Sequence, residues 1–301
     1  MLDLALNVSL KKMTTYHIGG EAKSFVLSNS QAELTAALKW CDGNLFPWFL
    51  IGYGSNILVA DEGFPGLVIK LAGEFTSIEF DDNSRVISIG AAVMLPKLAN
   101  ECAKRGISGF EGLCGIPGTV GAAVRINAGT KEGEVKDLFV SADILDEQGN
   151  VRTLSSNDMG FGHRTSLLMQ NRWIVLRSRF SYGLETESAK IFAQMLSHRA
   201  SRKAKQPSNP KNCGSVFKPA NGRAAGWYIE QCGLKGRRIG DAMIATEHAN
   251  WIVNLGAASA SDVKLLIRLA QDVVKERFGV LLEREVEYVP EDLIGVSSNE
   301  L

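Results

Sequence analysis

Residues 109–129 read GFEGLCGIPGTVGAAVRINAG. Glycine and alanine recur through it at turn-like intervals, and Pro117 fixes one bend. Such a run gains little from side-chain burial and has much backbone freedom to lose on folding. It suits a place where main chain must come close to something, and exposed N–H groups in a nest form a natural phosphate cradle. A glycine-rich tight turn in a β-rich core would read the same way. A second glycine turn upstream, Ile51-Gly52-Tyr53-Gly54-Ser55-Asn56, tips the balance toward two loops gripping the two sides of one diphosphate.

The chain has 301 residues, 45% hydrophobic and 22% charged, as expected of a globular protein with room for two or three small cores. Lys+Arg and Asp+Glu both number 33. That neutrality argues against nucleic acid or an anionic membrane as the main partner, because both need a basic excess. No apolar run is long enough for a membrane span, and the opening MLDLALNVSLKK has no secretory pattern, so a cytoplasmic location is expected. Cys41, Cys102, Cys114, Cys213 and Cys232 lack any CxxC or paired spacing and read as reduced thiols packing as small hydrophobes. With four scattered histidines, no metal site is expected.

In chain order, Ala22–Leu27 reads as a strand, and Ser30 with Glu33 as a capping box for a helix whose Leu34 and Leu38 face inward. Pro47–Leu50 and Gly66–Lys70 read as strands either side of the GYGSN turn, giving a β-α-β unit with a glycine turn just after a strand. Ser77–Phe80 and Arg85–Gly90 form a hairpin, Pro96 opens a short helix, and Gly106 closes it. Beyond residues 109–129, Val140–Asp146 and Val151–Leu154 make another hairpin, and Trp173–Tyr182 is a long strand. A helix from about Thr186 ends in the dense cationic cluster SHRASRKAKQP. That is an ordinary arrangement for a helix C-terminus, or a means of capturing an anionic substrate. Asn212–Lys218 reads as turn and strand with Ser215 and Phe217 on one face. Ala225–Cys232 is helical, and Gly240–Ala245 and Asn250–Asn254 are short strands. Ser259 and Asp262 open a final helix that Gly279 ends. Val280–Tyr288 is a last strand carrying Glu283 and Glu285, and residues 291–301 are expected to be a disordered tail.

Between the second hairpin and the long strand lies MGFGHRTS, with Arg164 bracketed by small and polar residues. Taken alone it reads more readily as a surface charge; a carboxylate-bearing ligand would want a bidentate partner of this type.

Several stretches taken together resemble the bacterial UDP-N-acetylenolpyruvoylglucosamine reductases, in their shorter subtype. They are TTYHIGG from Thr14, GSNILVADEGFPGLVI from Gly54, residues 109–129, HRTS at 163–166, NCGSVFKP at 212–219, GLKGRRIGDA from Gly233, HANWIVN from His248 and FGVLLEREV at 278–286. The resemblance runs from about Thr14 to Val289. It implies an α+β chain with a two-subdomain FAD-binding fold of the vanillyl-alcohol-oxidase kind, over 1–71 and 72–184, followed by an α/β substrate-binding domain over 185–290. It further implies that NADPH reduces FAD, and that UDP-N-acetylglucosamine enolpyruvate is then reduced to the lactyl ether. By position, Arg164 corresponds to the family's catalytic arginine, Ser215 to its proton donor and Glu285 to its catalytic glutamate. The FAD diphosphate would lie against Gly52, Tyr53, Gly54, Ser55 and Asn56, and against Gly115, Ile116, Pro117, Gly118, Thr119, Gly121 and Ala122. Lys203, Lys205 and Lys218 are candidates for the UDP phosphates. A monomer is expected, with only small molecules as partners.

The chain departs from the pattern at some positions. His163 stands where tyrosine is usual, and Tyr53, Ala122 and Asp241 replace glycines. Trp227-Tyr228 is atypical. A non-glycine residue forced to positive φ costs about 1–2 kcal/mol, so Tyr53 and Ala122 raise an expectation of altered loops. Two rival readings are an FAD-linked oxidase of the same wider fold, and a flavin-binding descendant without catalysis.

Overall fold

The structure, a computed structural model, describes residues 2–130, 132–183 and 186–293. The tail expected over 291–301 lies mostly outside the described residues. The chain forms two compact units, one built mainly from Val26–Tyr53 and Ile69–Arg202, the other from Ala5–Phe25, Gly54–Val68 and the chain from Lys203 on. The division falls inside the strands Glu21–Ser28 and Phe64–Leu71.

In the first unit, a five-stranded antiparallel sheet is ordered Val151–Ser155, Phe139–Leu145, Ile174–Ser181, Val86–Gly90, Ile78–Asp81. Alternation sorts the faces of the central strand. Leu176, Ser178 and Phe180 are buried, while Arg177 reaches Glu79 at 2.9 Å and Arg179 grips both carboxylate oxygens of Asp143 at 2.9 and 2.8 Å. Four helices belong here wholly or in large part: α1 (Gln31–Gly43), α2 (Leu95–Lys104), α3 (Val120–Arg125) and α4 (Ser188–Lys205). α2 buries Leu95, Leu98, Ala99, Cys102 and Ala103, and Gly106 beyond it is left-handed at φ +72°. Ser30 caps α1 by accepting the Glu33 N–H at 3.2 Å, but the Glu33 carboxylate turns to the Asn29 N–H at 2.7 Å. The expected capping box is therefore only half formed.

The second unit has one core, drawn from α5 (Ala225–Gln231), α6 (Ala260–Phe278) and a three-stranded antiparallel sheet of Arg238–Ile239, Ala242–Ile244 and Ile252–Asn254. α6 starts at a full capping box between Ser259 and Asp262, reinforced by Asp61, whose carboxylate accepts the N–H groups of Ala260 and Ser261 at 2.7 and 3.0 Å. It buries Val263, Leu266, Ile267, Ala270 and Val274, and ends at Gly279 with φ +67°.

Two segments differ from the sequence expectation. The strand expected over Val280–Tyr288 is regular only at Glu287–Val289, where it pairs in parallel with Ile57–Val59. Upstream, Arg284 makes an isolated bridge to Phe217, and Lys218 N–H donates to the Glu283 carbonyl at 2.9 Å. The strand expected over Asn212–Lys218 is likewise no ladder strand, because Gly214 turns left-handed at φ +81° just before Ser215. Strand parity therefore does not relate Ser215 to Phe217.

Candidate active site

The candidate residues fall in both units, and each group is built here within its own. In the first unit, the two glycine turns meet. A methyl group on Gly52 would stand 3.0 Å from Thr119 Oγ1 and 3.8 Å from Ala122 Cβ. The neighbours are side-chain atoms and no left-handed φ is involved, so the space at Gly52 is tight without being closed. Gly121 serves a different contact: its N–H donates to the Ala91 carbonyl at 2.9 Å, and an added methyl would lie 2.9 Å from Ala91 Cβ.

Most donors at the start of α3 are already committed. Val120 N–H goes to Val93, Gly121 N–H to Ala91, and Ala122 N–H to the capping Thr119 hydroxyl. The N–H groups of Gly52, Tyr53, Gly118 and Thr119 make no hydrogen bond among the described residues. Unpaired amides beside a bare glycine surface suit a phosphate ester or a diphosphate. Gly115, Ile116 and Pro117 lead into this turn from the short 3-10 helix Glu111–Gly115. Neither Tyr53 nor Ala122 takes positive φ, and Ala122 is helical. The strain expected at these two positions does not arise.

Arg164 sits half-buried at the tip of a tight turn, with φ +55° between Gly162 and Thr165, whose main chains bond each other at 3.1 and 3.4 Å. A non-glycine residue held left-handed stores about 1–2 kcal/mol, and such strain gathers at functional turns. The turn is anchored from below. Asn127, fully buried, donates to the Gly162 carbonyl at 2.8 Å, and the Ser166 hydroxyl donates to the Arg125 carbonyl at 2.5 Å. His163 points out beside Glu134, 3.6 Å from its carboxylate. The hydrogen bond from Lys136, with lesser help from Asn127 and His163, holds the Glu134 carboxyl below its usual range.

Arg202 is a residue the sequence reading passed over within the cationic cluster. It lies on Gly115, where an added methyl would stand 2.7 Å from its Cδ and 3.0 Å from its Nε. Burial makes its guanidinium easier to deprotonate than usual, and the nearby charge of Arg164 pushes the same way, against Cys114 and Glu132. Two guanidiniums in one neighbourhood make a strong anion attractor. The signal that could have found it is the glycine at 115, which only an approaching side chain explains.

In the second unit, the segments carrying Ser215 and Glu285 are joined main chain to main chain, and both residues are half-buried. The carbonyl of Val216, next to Ser215, accepts the Glu285 N–H at 2.8 Å. Cys213 lies in the same place: burial pushes its thiol up to about 12, the Tyr16 hydroxyl opposes this, and the Glu285 charge adds to it. Asn56 turns its side chain to the Glu285 carbonyl at 3.0 Å. Gly54 packs on the Met13–Thr15 turn, accepting the Thr15 N–H at 3.0 Å, and Ser55 is half-buried beside it. Lys218 pairs with Glu283, whereas Lys203 and Lys205 are exposed in the last turn of α4. Among the described residues no cluster of His, Cys, Asp or Glu could hold a metal ion, and no helix is long and apolar enough to cross a membrane.

Residues 22–155 match the model of an FAD binding domain, and residues 206–289 match that of the UDP-N-acetylenolpyruvoylglucosamine reductase C-terminal domain. With the mixed helix and strand architecture, the first match defines the class: a flavin-binding oxidoreductase fold. A UDP-N-acetylenolpyruvoylglucosamine reductase of Trichormus variabilis is 41% identical over 282 residues, 94% of this chain and 85% of its own. One from Desulforamulus reducens is 39% identical over 290 residues, 96% and 95%. The crystal structure of the enzyme from Thermus caldophilus superposes with a TM-score of 0.81 at 39% identity, covering 96% of this chain and 99% of that one. The chain belongs to the UDP-N-acetylenolpyruvoylglucosamine reductase family.

Proposed function

We propose that this chain reduces UDP-N-acetylglucosamine enolpyruvate to UDP-N-acetylmuramate, a step of peptidoglycan precursor synthesis, with NADPH as reductant. The observation that carries the reading is the hydrogen bond from the Glu285 N–H to the carbonyl of Val216, the residue after Ser215, in a chain of this family. FAD, when bound, supplies the hydride that it has taken from NADPH. Its diphosphate would be held by the free amides of Gly52, Tyr53, Gly118 and Thr119, with Gly54, Ser55, Asn56, Gly115, Ile116, Pro117, Gly121 and Ala122 shaping the two turns. We assign residues 1–71 and 72–184 to two cofactor-binding subdomains and 185–290 to the substrate domain.

The chain's own residues do the rest. Hydride addition at the enolpyruvyl methylene carbon pushes negative charge toward the substrate carboxylate. Arg164, fixed in its anchored turn, stabilises that charge as it develops, and Arg202 adds a second cation to the same field. The Ser215 hydroxyl gives its proton to the neighbouring carbon, forming the new C–H bond. A serine is a poor acid in water, so this requires a strongly basic carbanion and close placement. To accommodate the charge and resupply a proton, Glu285 must carry one once the substrate carboxylate is bound beside it, as like charge there favours. Lys203 and Lys205, which are exposed, and Lys218, by leaving Glu283, would meet the UDP phosphates. The enzyme is expected to be a cytoplasmic monomer.

Anaerobic reduction of the loaded protein by NADPH, followed by addition of the enolpyruvyl substrate, tests this directly at the flavin absorbance. Substrate should reoxidise the flavin, and Ser215→Ala should lose that step by at least about 100-fold while keeping reduction by NADPH. Reoxidation by oxygen alone would favour an oxidase. Failure to take up FAD would favour a non-catalytic protein.

A further inference from the structure

The backbone on both sides of Ser215 is held, but by different means. Upstream, Cys213 is buried and the left-handed Gly214 gives its N–H to Asn212 Oδ1 at 3.0 Å, a bond within the turn itself. Downstream stands Asn250, a polar side chain only 6% exposed. Its Nδ2 donates to the Phe217 carbonyl at 2.8 Å and its Oδ1 accepts the Phe217 N–H at 3.0 Å, an amide paired face to face with a main-chain residue. Its own carbonyl accepts the Val216 N–H at 2.8 Å. Three hydrogen bonds therefore run from one residue to the two that follow Ser215.

The grip continues to Glu285. The Val216 carbonyl accepts the N–H groups of Glu285 and Val286 at 2.8 and 3.4 Å. The far side of Glu285 is tied by Asn56, whose Nδ2 meets the Glu285 carbonyl and whose carbonyl accepts the Glu287 N–H at 3.1 Å. Asn250 thus sits at the head of a short chain of bonds, from Phe217 and Val216 to Glu285, with both carboxamide atoms engaged on main chain. A double amide pairing fixes both the position and the tilt of the peptide it holds, and burial leaves no water to replace either bond.

We propose that Asn250 is a positioning residue for proton transfer: by clamping Val216 and Phe217 it sets where the Ser215 hydroxyl stands and how far it lies from Glu285. This rests on the roles given above to Ser215 and Glu285. Displacing a reacting group by about 1 Å costs on the order of 100-fold in rate, and a backbone freed at Val216 would allow that much.

The test uses Asn250→Ala and Asn250→Asp, the latter keeping shape and the acceptor for the Phe217 N–H. Both are loaded with FAD and taken through the two half-reactions anaerobically, beside Ser215→Ala. Reduction by NADPH should stay within about twofold of the parent. Reoxidation by substrate should fall on the order of 100-fold in Asn250→Ala, less in Asn250→Asp, with a larger solvent deuterium isotope effect as proton transfer becomes limiting. In the FAD-free protein, amide exchange over residues 213–218 and 283–287 should accelerate selectively. Unchanged reoxidation and isotope effect in a folded variant overturn the proposal. A matched fall in both half-reactions, or exchange raised across the whole chain, overturns it too, since either marks a purely structural role. If Ser215→Ala itself reoxidises normally, the proton-donor assignment fails instead.

Discussion

A methyl group on Gly54 would lie 2.2 Å from the Met13 carbonyl oxygen, and φ there is +69°. Both the contact and the backbone exclude a side chain, so Gly54→Ala should lose on the order of 3 kcal/mol from strain and overpacking, read as a lower urea midpoint. Gly52, two residues earlier, meets only side-chain atoms of Thr119 and Ala122 and has no left-handed φ. Gly52→Ala should therefore keep its urea midpoint near that of the parent yet bind FAD more weakly, measurable by flavin fluorescence titration. The sequence marks both as cofactor glycines, because one-letter patterns do not separate a glycine that serves a ligand from one that serves its own chain. The same limit hid Asn250. HANWIVN was legible as a motif, but a side chain that holds backbone 33 positions away leaves no local trace. Arg164, Ser215 and Glu285 were legible only through resemblance, since nothing in their own spacing links residues so far apart.

Helices proved readable where their ends are chemical. α6 was legible from Ser259, Asp262 and Gly279, because capping and left-handed closure involve neighbours in sequence. Its second cap was not, because Asp61 comes from elsewhere in the chain. Asp61→Ala removes acceptors from the Ala260 and Ser261 N–H groups and should cost about 1–2 kcal/mol, seen as a lower melting temperature with the helix content of the native state kept. Strands were less legible. Val280–Tyr288 carries the apolar alternation of a strand, yet of these only Glu287 and Tyr288, with Val289 just beyond, find a ladder partner. Ala5–Ser9 went unread because most of its side chains are exposed, and Ile57–Val59 because three residues show no period.

For the molecule as a whole, pH should act from the acid side in two stages. His248 is half-buried with the charge of Lys235 nearby, and burial, more than that charge, lowers its proton affinity; its Nδ1 accepts the Asn250 N–H at 3.2 Å. The folded state thus binds this proton less readily than the unfolded one. Stability is fully present above the unfolded value of about 6.5 and declines as pH falls below it toward the depressed folded value. A second loss follows below about pH 4, as carboxylates held low in the folded state take up protons. Among them are Glu134 beside Lys136, and Asp143 and Asp292, where burial is the largest single influence but the hydrogen bonds and neighbouring positive charges together outweigh it. Melting temperatures between pH 8 and 5 should show the first decline, and His248→Gln should flatten it.

The parallel pairing of Ile57–Val59 with Glu287–Val289 also dictates an order of events during synthesis. Asn56 and Glu285, bonded at its edge, are 229 positions apart. A ribosome that has just completed α6 has yet to make the strand that Ile57–Val59 requires. Until Glu287–Val289 is made, that early strand waits with an open edge, and edges of this kind invite wrong partners. The second unit, begun at residue 5, can close only when the ninth decade of its third hundred emerges, so its maturation waits on Glu287–Val289 rather than on its own first segments.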